Sequence, residues 1–488
     1  MIHPLFQVDG YKLDHRRQYP SGTSRVYSNW TPRQSRIPGV DYIIFFGLQY
    51  FLQKYLKNEM YQYFFNRNRG AVIDEYREML LDYIGPNQIG VDHIEALHKL
   101  GYLPLEFRAL PEGTKCPIRI PCVSVESTDK DFFWLTNYIE TMMSNVMWMP
   151  CTSATTSHHL KRMLMSAATR SGGDPGFVSW QGHDFSYRGM AGREAAQLSG
   201  AGHLINFTGT DTIPAIDFIK RFYPNRPIPG KGMPLIGGSV YATEHSVMCA
   251  GGQEGELETF TRLLDLYPTG IVSVVSDTWD LWNVLVNILP QLKERILARE
   301  GKLVIRPDSG DPVKIICGDP DATGPANKGV IELLWNLFGG TTTSTGHRLL
   351  DSHIGAIYGD SINYDRAKAI TDGLCQKGFA STNIVLGVGS YTYQYVTRDT
   401  FGWAMKATWA EVNNEPRNLF KKPLTDDGTK FSARGRLAVI QQDNTLKLLQ
   451  EATPEQEKQS LLVPVWRNSE FLVTQSFDQI RKIAQSSV

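Results

Sequence analysis

The chain has 488 residues and 42% hydrophobic content, enough to bury a large core, and its length suits two or three domains or one barrel with a substantial appendage. Fifty basic residues against fifty acidic ones leave no net charge, so the bulk balance points to neither a nucleic-acid nor a membrane partner, and any anion site must be local. The six cysteines lack the short spacings of a zinc site or redox motif. The N-terminal MIHPLFQVDGYK has no basic leader or continuous apolar run, and no stretch nears membrane-spanning length, so a cytoplasmic location is expected.

Residues 1 to about 40 contain DGYK at Asp9 to Lys12 and WTPRQSR at Trp30 to Arg36, which read as loops or short strands. From Phe45 the spacing of Phe46, Leu48, Tyr50, Phe51, Tyr55 and Leu56 predicts a helix with one wide apolar face, and helical patterns continue to about Gly101. Leu103 to Glu126 holds short extended runs broken by Pro and Gly. Asp131 to Trp148 and Thr152 to Thr169 then predict two long helices. No repeat, low-complexity tract or linker separates these parts, which implies interleaved domains.

QGHDFSYRG, from Gln181 to Gly189, sets aromatics beside an Arg, a combination suited to a flat ring next to a phosphate or to a core aromatic under a surface salt bridge. NFTGTDT places Asp211 after a Gly turn, and SVYATEHSV places Glu244 and His245 after an extended run. Four apolar runs then end in small residues and precede helical patterns: IVSVVSDT, KLVIRPDSGDP, IGAIYGDS and IVLGVGSY. These are strand-turn-helix units of a barrel-like series over roughly 180 to 395. Parallel strands gather functional groups at their carboxyl ends, so Asp277, Arg306, Asp308, Asp360 and Ser390 are expected to face one cleft. An acid after a strand can equally cap the next helix. Beyond the series, MKATWAEVN, GRLAVIQQD and TLKLLQEA alternate as antiparallel strands do. Lys406, Arg417, Lys421, Lys422, Lys430, Arg434 and Arg436 crowd this region, either as a solvated face or as an anion-facing surface.

The order HDFSYRG, FTGTDT, EHS, SVVSD, IRPDSG, GD and GVGS, with DGYK near the start, closely resembles the nicotinamide phosphoribosyltransferases of the nicotinate/nicotinamide superfamily. YPSGTSRVYS, FFGLQY, WLTNYIET and SFDQIRKIAQ extend the resemblance to nearly the whole chain. It implies a type II phosphoribosyltransferase fold: an irregular α/β barrel over 151–395, with a second α/β domain from 1–150 plus 396–488. It also implies a homodimer with shared active sites, Mg²⁺ as cofactor and ATP as coupled co-substrate. The implied reaction joins nicotinamide to phosphoribosyl pyrophosphate for NAD salvage.

By the same resemblance, Phe185 stacks on the nicotinamide ring, Tyr11 of the other subunit closes its opposite face, and Asp211 accepts from the carboxamide nitrogen. Ser273 joins the substrate-binding set. Arg188 and Arg306 hold the pyrophosphate group, Asp308, Gly359 and Asp360 the ribose hydroxyls, and Gly389 and Ser390 the 5-phosphate, with Arg398 and Lys406 nearby. His245 matches a histidine that ATP phosphorylates, Asp277 lies near it, and Arg33, Lys421 and Lys430 match groups around the phosphates. The metal ligands are not implied. Where the family has three glycines, this chain has GVGS, so Ser390 replaces a Gly. The rivals are nicotinate as substrate, and a catalytically silent signalling protein on the same scaffold.

Overall fold

In a computed structural model, residues 3–421 and 433–486 are described. The chain forms two compact units, Met1–Thr155 with Ile219–Pro227 and Val396–Ser487, and Thr156–Phe218 with Ile228–Tyr395.

In the first unit a seven-stranded antiparallel sheet interleaves strands from both chain ends, in the order Glu415–Asn418, Ala404–Val412, Thr23–Thr31, Val123–Ser127, Leu105–Ala109, Val463–Arg467, Glu470–Phe471. The Thr23–Thr31 strand lies inside the sheet, next to the central Val123–Ser127, and Val26 to Trp30 are buried without a break, so it must be covered on both faces. Its Trp30 stacks on Trp403, ring centroids 3.9 Å apart at 8°. Both indoles are fully buried, and aromatic pairs of this kind contribute on the order of 1 kcal/mol beyond the area they bury.

One helical expectation is corrected. Where two helices were expected on either side of Pro150, a single helix runs Glu140–Ser171 with Pro150 inside it. Proline usually breaks a helix because its ring needs space and its nitrogen donates nothing. Here the ring lies over Gly47, where a Cβ would sit 2.6 Å from the proline Cγ. The missing side chain makes room for the ring.

The second unit is a seven-stranded, wholly parallel sheet. In chain order its strands are β1 (Gly182–Asp184), β2 (Gly209–Thr210), β3 (Tyr241–Ala242), β4 (Thr269–Val275), β5 (Glu300–Arg306), β6 (Ile354–Ile362) and β7 (Ile384–Val388). They pair in the order β2-β1-β7-β6-β5-β4-β3. The four apolar runs predicted from sequence are the adjacent strands β4 to β7. The open edges are joined by a parallel bridge between Gly209 of β2 and Gly238 before β3, with Thr210 N donating to Gly238 O (3.0 Å) and Gly238 N to Thr208 O (2.9 Å). The sheet is thus an irregular barrel, as expected.

Period-two alternation divides its residues. Val272, Val274, Leu303 and Ile305 are buried away from the lumen, while Ile271, Ser273, Lys302, Val304 and Arg306 line a cavity of about 470 Å³. Small barrels are usually filled by side chains. This one keeps a lined space that reaches from Asp211 and Arg306 at the carboxyl ends to Ile354 at an amino end. Among the described residues no helix is long and apolar enough to cross a membrane.

Candidate active site

At the carboxyl end of β1, Phe185 continues the ladder by donating its N–H to Val388 O (2.9 Å). Its ring lies 4.6 Å from that of His183, and both residues line the cavity. Asp211 follows β2 directly. It does not cap the following helix with its side chain: Oδ1 accepts from Nε2 of His183 (2.8 Å) and Oγ of Ser239 (2.6 Å). Burial pushes this carboxyl up, but the hydrogen bonds from His183 and Ser239, with the charges of His183 and Arg306, outweigh it and hold the group below the usual carboxylate range. Asp211 is therefore an anion at neutral pH, and among the described residues its Oδ2 makes no hydrogen bond. Ser273 on β4 also lines the cavity, its Oγ buried with no protein partner.

The ends of β4 and β5 are tied together. Asp277 Oδ2 accepts from the backbone N–H of Asp308 and of Ser309 (2.9 Å each) and from the Ser309 hydroxyl. This acid thus fixes the turn after the neighbouring strand and leaves helix capping to Asp280 and Asp311. Its Oδ1 is buried without a partner. His245 opens a short helix, with Nδ1 3.0 Å from Thr278 Oγ1 and Nε2 3.3 Å from Asp308 Oδ1. Ligand atoms of His245, Asp277 and Asp308 all lie within 4.8 Å of one another.

Arg306 ends β5 and donates to Thr243 O, while its Nε is buried and unsatisfied. Burial lowers its guanidinium, against the opposing pull of Asp308, Asp211 and Asp277, and nearby Arg188 lowers it further. Such a cation gains from an anionic ligand. Arg188 itself is exposed. On β6 the register with β7 shifts between Tyr358 and Ile362, and Ser361 has φ 54°. This bulge re-aims the strand end. A Cβ at Gly359 would stand 3.2 Å from Asp308 Cβ and 3.5 Å from Arg306 Cδ, so glycine permits the close approach. Asp360 lies on this strand, but its side chain is outside the described residues, as is Lys430.

Gly389 precedes a short helix that starts at Ser390, and the space beside it is open. The Ser390 side chain lies against Gly189, where a Cβ would come within 2.3 Å of its Oγ. The hydroxyl thus uses room left by a second glycine and leaves the Gly389 approach clear.

The remaining predicted residues belong to the first unit. Tyr11 is 62% exposed, and partial desolvation with the charges of Glu140 and Asp9 raises its hydroxyl against Arg398. Burial lowers the Lys406 ammonium, and Arg33, Lys12 and Arg398 add to this against Glu140. Arg33, Lys406 and Lys421 line one pocket of about 600 Å³. Sequence reading missed His183, Ser239 and Thr278, whose types are common and whose partners lie far along the chain, and it missed Lys302, a lone cation inside an apolar run.

Residues 180–458 match the nicotinate phosphoribosyltransferase (NAPRTase) family, and residues 4–95 the nicotinamide phosphoribosyltransferase N-terminal domain. A nicotinamide phosphoribosyltransferase of Acinetobacter baylyi is 49% identical over 99% of this chain and 97% of its own length. One from Xanthomonas campestris pv. campestris is 33% identical over 99% and 98%. Among solved structures, the nicotinate-nucleotide pyrophosphorylase of Pyrococcus furiosus has a TM-score of 0.60 at 14% identity, covering 99% of this chain and 95% of that one. Human nicotinic acid phosphoribosyltransferase gives 0.56 at 14% identity, covering 99% and 93%. The solved structures bear on the fold, and the sequence relatives on the family: the chain belongs to the nicotinamide phosphoribosyltransferases, within the nicotinate phosphoribosyltransferase family.

Proposed function

We propose that the chain transfers phosphoribosyl from phosphoribosyl pyrophosphate to nicotinamide, yielding nicotinamide mononucleotide and pyrophosphate for NAD salvage. The observation that carries this reading is the ionised Asp211 at the cavity end, with Oδ2 left over, beside the Phe185 ring and Arg306. A flat carboxamide fits there, its NH₂ donating to Asp211 and its carbonyl accepting from the unpaired Ser273 hydroxyl. As the bond from ribose C1 to pyrophosphate breaks, positive charge grows on C1 and negative charge on the leaving group. Arg306 and Arg188 are assigned to stabilise the latter. The pyridine nitrogen then attacks C1. It carries no proton, so no general base is needed, and positioning supplies most of the advantage.

The Asp277 and Asp308 carboxylates fit Mg²⁺, a hard cation usually held by one or two carboxylates plus substrate phosphates, and the orphaned Asp277 Oδ1 is the oxygen best placed to serve it. When bound there, Mg²⁺ would neutralise pyrophosphate charge. Asp308, Gly359 and Asp360 are assigned to the ribose hydroxyls, and Gly389 and Ser390, with Arg398 and Lys406, to the 5-phosphate. ATP is assigned to His245, with Arg33, Lys421 and Lys430 around its phosphates. Purified protein given phosphoribosyl pyrophosphate and Mg²⁺ should form the mononucleotide from nicotinamide far faster than from nicotinate. Turnover of nicotinate alone would sink this reading.

The proposal includes a homodimer in which Tyr11 and the basic first-unit residues serve the partner's barrel. Inactive Tyr11→Ala and inactive Arg306→Ala, refolded together, should regain part of the activity, because some heterodimer sites carry neither lesion. Mixtures that contain verified heterodimer yet stay inactive would exclude shared sites.

A further inference from the structure

The first-unit pocket contains a basic residue that no sequence pattern marked. Arg119 lines it together with Arg33, Lys406 and Lys421. It stands in a tight turn closed by Ile120 N donating to Pro117 O (3.2 Å), at φ 72°. This is the third position of a type II turn, where positive φ makes glycine the usual residue and a long L side chain is strained. Most other described non-glycine residues with positive φ are Asn, Asp or Ser; the other long side chain, Glu451, is occupied by Arg434 and Asn418. Arg119 is exposed and makes no ion pair among the described residues, so no such pair among them accounts for an arginine there.

The surroundings supply a reason. Arg33 spends its Nε on Gly402 O (2.8 Å), leaving its terminal nitrogens to the pocket. Lys406 is exposed and sits among the like charges of Arg33, Lys12 and Arg398, against Glu140. Four cationic residues line one space of about 600 Å³, a local excess of positive charge that suits an extended polyanion. We propose that Arg119 is a phosphate-binding residue of this pocket, engaging the di- or triphosphate chain of a ligand by charge-assisted hydrogen bonds. The inference rests on the reading of Arg33 and Lys421 as phosphate ligands.

The test uses the full-length protein and three probes: ATP, phosphoribosyl pyrophosphate and inorganic pyrophosphate, each with Mg²⁺. Affinities are measured by calorimetry for the parent and for Arg119→Gly, Arg119→Lys, Arg33→Ala and Lys421→Ala. Arg119→Gly should weaken at least one probe by about tenfold, the scale of a lost hydrogen bond to a charged group. Its melting temperature should hold or rise, because glycine relieves the turn. Arg119→Lys should recover part of the affinity. Weakening confined to ATP assigns Arg119 to a nucleoside triphosphate; weakening confined to the other probes assigns it to the ribosyl substrate or its product. Unchanged affinities in Arg119→Gly, with loss in Arg33→Ala, would overturn the proposal and leave the pocket reading intact. Loss of affinity together with a lowered melting temperature would make Arg119 structural. Unchanged affinities in Arg33→Ala and Lys421→Ala would overturn the pocket reading itself.

Discussion

His245→Ala should abolish ATP hydrolysis while leaving slow, ATP-independent synthesis. Both ring nitrogens of His245 are gripped, Nδ1 by Thr278 and Nε2 by Asp308, so the ring orientation is set before any nucleotide arrives. The side chain is 45% exposed, which gives a phosphate access to it. In the proposed coupling a ring nitrogen attacks the terminal phosphorus of ATP, ADP departs, and water later releases phosphate from the phosphohistidine. Alanine offers no nucleophile. Arg306 and Asp211 are untouched by the substitution, so positioning of nicotinamide and departure of pyrophosphate survive. ADP production measured with and without nicotinamide, alongside mononucleotide formation, checks this. Undiminished ADP production by the variant would remove His245 from the mechanism.

Asp211→Asn and Asp211→Ser should lower the preference for nicotinamide over nicotinate by at least about tenfold in kcat/KM, a shift of roughly 1.4 kcal/mol in relative transition-state binding. An ionised Asp only accepts, so it pairs with a carboxamide NH₂ and repels a carboxylate. His183 and Ser239 sharpen the effect, because both donate to Oδ1 and keep the acid charged. Asn offers an NH₂ to a substrate carboxylate, and Ser removes the repelling charge. Ser leaves His183 and Ser239 short of an acceptor, and Asn keeps an amide oxygen for them but loses the charge that strengthens both bonds, so some loss of stability accompanies each change. The two effects are separable by thermal melts. An unchanged ratio with a lowered melting temperature would assign Asp211 to structure.

The parts of this molecule legible in its sequence are those whose signal is local. Strands β4 to β7 could be read because each buries an apolar run and stops at a small or acidic residue. Strands β1, β2 and β3 are two or three residues long, too short for any period to show, yet they carry His183 and Ala242 and lead straight into Phe185 and Asp211, all on the cavity wall. The helix through Pro150 was misread because its permission comes from Gly47, over a hundred positions away. The same limit applied in the site: Asp211 and His245 stood out beside glycine turns and strand ends, whereas Ser239 and Thr278 acquire roles only through partners that folding brings near. Arg119 was invisible for another reason, since its oddity is a backbone angle and not a residue type.

The bridge between Gly209 and Gly238 is the narrowest joint in the barrel, and the residues that follow its two sides are Asp211, one position beyond Thr210, and Ser239. Their hydrogen bond therefore laces the seam from above, where the backbone contributes little. In the proposed reading, a ligand that engages Asp211 would add a rung to the same lacing, so recognition of the ring and closure of the cylinder would share one hinge point. Occupancy of the cavity is then expected to stiffen the wall that holds it, which slower amide exchange at Thr210 and Gly238 in the presence of nicotinamide would register.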